Sequence, residues 1–287
     1  MNKILSIGCS GGTSMVSCIK DAKVIYDLFC AEQDYKYFWQ NPPALYVGKE
    51  IAKAVMTIDD LKNVFEWCKD SEELVVYWSS HGTLVEHEKK KEFAFYIGDN
   101  SVILFRHFLE NFLLPIYKAK PKKIKIIIDA CFSGKAKKKI DKKRFSVVET
   151  KEPLEAKYIE LKSPKIKKFE KSNLDKKFLK NISIISAAAG KQSAFGDFDC
   201  DITHGFMGNT NGCSLFTACL VSSITNAYAW GVGYKKRNWN YILKLAQKRS
   251  DNLVKSMGLK GWLESPPKTI APKISVKAGR NSSKLVL

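Results

Sequence analysis

The sequence predicts an α/β fold, a mostly parallel central sheet with helices on both faces. Three observations carry this. Short apolar runs alternate with longer amphipathic stretches, as strands and covering helices do. Several of the runs are apolar throughout rather than alternating, which places them in the centre of a sheet buried on both sides. A chain of 287 residues with 45% hydrophobic and 11% aromatic side chains can bury a large core without disulfide staples. The same composition excludes wholesale disorder, a collagen-like repeat and a disulfide-bound mini-protein.

The candidate strands, in order, are Lys3–Gly8, Ala44–Gly48, Glu73–Ser79, Ile124–Asp129 and Ile182–Ala187. In the first helix, Ile19, Ala22, Tyr26 and Phe29 recur at helical spacing and are expected to line its core face. Thr57 and Asp60 form a capping box that opens the second, whose core face holds Leu61, Val64, Phe65 and Cys68. Further helices are expected near Val102–Tyr117, Ser214–Tyr228 and Trp239–Met257. One connection is anomalous. From Lys135 to Lys180 about 46 residues, rich in lysine and carrying Pro153 and Pro164, separate two core strands, far beyond ordinary loop lengths. There is no internal repeat, and the chain reads as a single domain over residues 1–287 with this long insert.

The net charge of +19 is concentrated there. Between Lys118 and Lys180 there are 22 basic and 8 acidic side chains, an excess of 14. Such a stretch raises the question of nucleic acid or an anionic surface. The aromatics of the insert Lys135–Lys180 are sparse (Phe145, Tyr158, Phe169 and Phe178), so the stacking platforms of single-strand binders are missing and nucleic acid is not the expected partner.

Eight cysteines, at positions 9, 18, 30, 68, 131, 200, 213 and 219, show neither the density of a secreted scaffold nor paired spacing near histidines. Free thiols in a reducing, cytoplasmic setting are expected. The segment before Cys9 superficially resembles a lipoprotein cleavage box, but only about five apolar residues precede it, too few for a signal peptide. No run approaches the ~20 apolar residues of a membrane span.

In an open α/β sheet, reactive groups gather at the carboxyl ends of the strands, near a topological switch point. Glu73–Ser79 runs out into Ser79-Ser80-His81-Gly82, and Ile124–Asp129 into Asp129-Ala130-Cys131-Phe132-Ser133-Gly134. If the two strands are neighbours, an imidazole and a thiol face one crevice, which is what nucleophilic thiol catalysis needs. Gly82 and Gly134 let a substrate approach the backbone.

These two boxes, some fifty residues apart, resemble the His-Gly and Asp-x-Cys-x-Ser-Gly boxes of caspase-like cysteine peptidases, in particular metacaspases and their prokaryotic relatives. Ser17-Cys18-Ile19-Lys20-Asp21-Ala22 is similar to the Gly-Cys-x-Asn-Asp-Ala box of that family. Residues 184–193 resemble its later strand, and 212–218 its Gly-x-Phe-Thr helix. The resemblance covers most of residues 3–230 and implies a caspase-like three-layer sandwich. It implies Cys131 as nucleophile, His81 as its partner, and the backbone N–H groups of Gly82 and Cys131 as oxyanion donors. It also implies a primary specificity pocket made of Asp21, Ser79 and Asp129. Two carboxylates around a narrow pocket favour a guanidinium or ammonium, so a protein or peptide substrate cut after Lys or Arg is expected. A carboxylate serving the helix dipole is the competing reading of Asp21.

The departures are specific. Ser80 stands where the family has glycine, beside His81. Lys138 stands where calcium-dependent members place an aspartate, so no cofactor is expected. Asp197, Asp199 and Asp201 alternate without a glycine at loop spacing and read as a solvated loop rather than a cation site. The insert sits where caspase-like enzymes carry the segment cut on activation, so a protease accepting Lys or Arg is expected to cut itself between Lys135 and Lys180. Two other classes compete: a catalytically silent caspase-like scaffold, against which His81 and Cys131 speak, and a basic nucleic-acid-binding protein.

Overall fold

The computed structural model describes residues 1–10, 17–30, 46–49, 56–87, 90–97, 101–120, 123–130, 157–158, 178, 181–187, 210, 212–229, 239–256 and 275–278. Along the chain run β1 (Asn2–Cys9), α1 (Ser17–Cys30), β2 (Tyr46–Gly48), α2 (Ile58–Trp67), β3 (Glu73–Ser80), β4 (Gly82–His87), β5 (Lys90–Tyr96) and β6 (Ser101–Leu104). Then come α3 (Phe105–Phe108), a π-helical stretch (Leu109–Leu113), α4 (Leu114–Ala119), β7 (Lys123–Asp129), β8 (Lys157–Tyr158) and β9 (Ile182–Ser186). The last elements are α5 (Leu215–Ala229), α6 (Trp239–Ser256) and β10 (Ser275–Ala278).

The central sheet has the order β10-β9-β7-β3-β1-β2. Its pairings are parallel except that of β10 with β9. Because β2 lies on one side of β1 and β3 on the other, the strand order reverses between β1 and β3. In open α/β sheets such a reversal marks the carboxyl ends of the two strands as the place for a ligand crevice.

Alternation along the central strands sorts their side chains onto two faces. Leu5, Ile7, Val76, Trp78, Ile126 and Ile128 pack with Leu61, Val64 and Phe65 of α2 and with Phe108 and Phe112. Ile4, Val75, Tyr77, Ile127 and Ile185 pack against Ile25 and Phe29 of α1, Phe216 and Leu220 of α5, and Ile242 of α6. Helices thus cover both faces, as the apolar strands require. The capping box of α2 is present, with Thr57 Oγ1 accepting from the Asp60 N–H at 3.1 Å and Asp60 Oδ2 accepting from the Thr57 N–H at 3.0 Å.

A second sheet, β4-β5-β6-β8, grows directly out of β3. Only His81 separates the last residue of β3 from β4. Phe93 and Phe95 of β5 pack into the main core, where Trp78 and Phe95 lie with ring centroids 4.4 Å apart. Ala94, Tyr96, Val102 and Leu104 face the other way.

Three expectations are corrected. Val102–Tyr117 is not helical from its start, because Ser101–Leu104 pairs with β5 as a strand before the helix begins. The helix itself widens into a π turn at Leu109–Leu113, just before Pro115. A proline has no N–H to donate and its ring crowds the carbonyl one turn back, so the backbone opens there. In α1, Ile19 is 45% exposed, and the inward stripe runs through Cys18, Asp21, Ala22, Ile25 and Phe29. The long insert is not loop throughout. Lys157–Tyr158 adds β8 in parallel to β6, and Phe178 is buried against Tyr117 at 5.2 Å between ring centroids. Among the described residues, no helix is long and apolar enough to cross a membrane.

Candidate active site at the carboxyl edge of the central sheet

β3 and β7 are neighbours, and their register sets Ser79 beside Asp129. Both lie on the face of the sheet that carries Tyr77 and Ile127, turned toward α1 and α5. β1 pairs Gly8 with Ser79 on the other side. A Cβ on Gly8 would stand 2.1 Å from the Cys18 carbonyl oxygen, so only glycine lets α1 lie this close to the sheet. One turn further along α1, Asp21 reaches the strand ends. Asp21 lies beyond the first turn and is fully buried, so its carboxylate meets side chains rather than the helix dipole.

Asp21, Ser79 and Asp129 form one buried cluster. Ser79 Oγ donates to Asp21 Oδ2 at 2.8 Å. The Ser214 N–H donates to Asp21 Oδ1 at 2.7 Å, and the Ser214 hydroxyl donates to Asp129 Oδ2. Asp129 Oδ2 also accepts from Thr217 Oγ1 at 2.8 Å, and the Tyr77 hydroxyl, hydrogen-bonded to Thr217 Oγ1, lies 3.3 Å from the same oxygen. These donors to the two carboxylates are all neutral.

Burial and the charge of Asp129 push the Asp21 carboxyl well above the usual range, and the donors from Ser214, Ser79 and Cys213 only partly oppose this. Burial pushes Asp129 up to about 6, against the opposing pull of Ser214, Thr217 and Tyr77. Burial and the nearby acids also push the thiols of Cys18 and Cys213 far up, which keeps both as thiols at neutral pH.

His81 is half-buried at the junction of the two sheets. Its carbonyl accepts from the Tyr96 N–H at 3.1 Å, and its ring meets Tyr96 edge-on at 5.8 Å between centroids. Gly82 opens β4, paired with Phe95. Cys131 lies outside the described residues, as do Gly134, Lys138, Asp197, Asp199, Asp201 and most of the insert. Among the described residues, no three His, Cys, Asp or Glu side chains converge to hold a metal ion.

Sequence reasoning picked out residues 212–218 as a family-like segment but assigned no role to Ser214, Thr217 or Tyr77. A serine just ahead of an apolar helix is an N-cap signal, and that signal was available for Ser214.

The family model described as caspase domain matches residues 2–248. No curated protein matches the sequence. Among solved structures, a protein of Geobacter sulfurreducens aligns at TM-score 0.51 with 10% identity, covering 100% of this chain and 97% of the other. The Drosophila initiator caspase Dronc aligns at TM-score 0.44 with 12% identity, covering 96% of this chain and 79% of the other. With the family match spanning nearly the whole chain over a parallel α/β sheet, the protein belongs to the caspase-domain family of cysteine peptidases.

Proposed function

We propose that the protein is a cysteine endopeptidase that cleaves protein substrates after Lys or Arg through Cys131 and His81. The observation that carries this reading is the buried cluster of Asp21, Ser79 and Asp129 at the strand ends, beside the half-buried His81. A water-poor site lined by two carboxylates, with neutral donors around them, suits a cationic side chain and opposes an acidic one.

In the proposed reaction His81 takes the Cys131 thiol proton and the thiolate adds to the scissile carbonyl. The N–H groups of Gly82 and Cys131 receive the oxyanion. Collapse breaks the C–N bond, with the proton passing from His81 to the leaving amine and a thioester remaining on Cys131. Water then hydrolyses the thioester and returns the thiol. The suppressed ionisation of Cys18 and Cys213 supports Cys131 over these two neighbours of the acids.

Self-processing within Lys135–Lys180 fits the same pocket. β8 holds one part of that segment to β6, and Phe178 holds another against Tyr117, which favours cuts that leave the pieces together. The described cysteines 9, 18, 30, 68, 213 and 219 form no disulfide, in keeping with a reducing cytoplasmic setting.

The test is to incubate wild type and Cys131→Ala with peptides carrying Arg, Lys or Asp before the scissile bond. Cleavage after Arg and Lys by wild type alone is expected. Faster cleavage after Asp overturns the specificity. A chain that neither cleaves nor takes up an active-site thiol probe is the catalytically silent scaffold.

A further inference from the structure

Ser214 performs three bonding tasks at one corner. Its Oγ accepts from the Thr217 N–H at 3.0 Å, which caps the first turn of α5. The same hydroxyl spends its single proton on Asp129 Oδ2, and the backbone N–H goes to Asp21 Oδ1. The two carboxylates consequently end up with unlike surroundings. Asp21 has a donor on each oxygen, Ser214 on Oδ1 and Ser79 on Oδ2, with the Cys213 thiol as a further donor to the carboxylate. On Asp129, Ser214 and Thr217 both donate to Oδ2, and the Tyr77 hydroxyl, bonded to Thr217, stands behind them. A carboxylate oxygen has about two lone-pair sites, so Oδ2 is saturated. Among the described residues, no donor reaches Oδ1.

We propose that Ser214 divides the work of the two acids, leaving Oδ1 of Asp129 as the acceptor that reads the substrate cation and fixing Asp21 in the pocket wall. Asp129 is then the specificity determinant, and Ser214 is a positioning residue acting through it. The inference rests on the specificity pocket described under Proposed function. Two adjacent buried carboxylates do not both ionise readily, and two hydroxyl donors gathered on one oxygen of Asp129 leave its other oxygen to face a cation. The rise in the Asp21 carboxyl agrees, since burial first and then the charge on Asp129 disfavour its ionisation.

The experiment compares wild type, Asp129→Asn, Asp21→Asn, Ser214→Ala and Ser214→Thr on matched peptides with Arg or its neutral isostere citrulline before the scissile bond. Asp129→Asn is expected to lower the Arg-over-citrulline ratio about 100-fold, the scale of losing a charged hydrogen-bond acceptor. Asp21→Asn should lower it about tenfold or less, since the amide still accepts from Ser214. Ser214→Ala should lower the ratio about tenfold through KM rather than kcat, and Ser214→Thr, which keeps a capping hydroxyl, should restore it.

Thermal melting of each full-length variant with and without benzamidine reads cation binding apart from turnover, and the melt without it shows whether Ser214→Ala still folds. Equal losses at Asp21 and Asp129, or a Ser214→Ala effect confined to kcat, overturn the division of work while sparing the pocket. A wild type that does not distinguish Arg from citrulline overturns the pocket assignment, and this inference with it.

Discussion

Ser79 on β3 donates to Asp21 on α1 across 2.8 Å, a bond between two fully covered side chains 58 residues apart. It exists because β1, between them, carries Gly8 beside Ser79 and directly under the Cys18 carbonyl. Gly8→Ala places a methyl group 2.1 Å from that oxygen, against backbone that cannot swing aside as a side chain would. We expect a loss of about 3 kcal/mol, at the upper end for overpacking. The Arg-over-citrulline ratio should fall as well, because α1 carries Asp21 with it. An unchanged melting temperature would count against the close approach.

The affinity for Arg substrates should depend on pH through Asp129. Its carboxyl is pushed up to about 6 by burial, so it is substantially neutral at pH 5 and ionised at pH 7. KM for Arg peptides should therefore fall as pH rises through about 6, and KM for citrulline peptides should not follow. The same shift acts on stability in the opposite sense. A carboxyl with a folded value above its unfolded one contributes stability below about pH 4 that is lost as pH rises through about 6. Asp129→Asn should flatten that part of the profile of melting temperature against pH.

Cys131→Ala and His81→Ala should each lower kcat by several orders of magnitude, and the double variant should be scarcely worse, because the proposed pair acts as a unit. Additive losses in kcat/KM would assign one of them a structural role.

Self-processing should give two or more bands on a denaturing gel and one species in native chromatography. The pairings of β8 with β6 and of β9 with β7 hold the cut chain together. Cys131→Ala should stay intact, and identical fragmentation of both proteins would point to a contaminating protease.

Lys125 in β7 is 2% exposed, with its ammonium 4.3 Å from the Trp239 ring centre of α6. Burial holds its pKa well below the ordinary lysine value, only partly offset by Glu73. A methionine of similar length keeps the packing and removes the desolvated charge. Lys125→Met is expected to stabilise the protein by about 1 kcal/mol, read in urea unfolding, and a clear destabilisation would show that the contact with Trp239 outweighs desolvation.

The central sheet was legible because its strands are buried on both faces. Runs such as Ile124–Asp129 carry an apolar signal that no helix competes for. The second sheet was not, because β4 and β5 mix charged residues such as Glu86, Lys91 and Glu92 with apolar ones. β6 presents a short apolar run, Val102–Leu104, that periodicity cannot separate from the helix it leads into. The face of α1 was misread by one position for a chemical reason: its true inward stripe contains Asp21, and a buried carboxylate does not register as core. Of the candidate site, Asp21, Ser79 and Asp129 were named from motif positions. The roles of Tyr77, Ser214 and Thr217 emerge only from three-dimensional packing, since Thr217 is 88 residues from Asp129.

That separation in sequence bears on the order of events during synthesis. Both acids have left the ribosome once Asp129 has, but the hydroxyls that satisfy Asp129 at its Oδ2 belong to Ser214 and Thr217, 85 and 88 residues later. At roughly 5–20 residues per second that interval lasts several seconds. A nascent chain with its early strands already paired would hold two acids without their partners, an arrangement that resists burial. The cluster of Asp21, Ser79 and Asp129 therefore closes only when α5 docks, after most of the protein has been made.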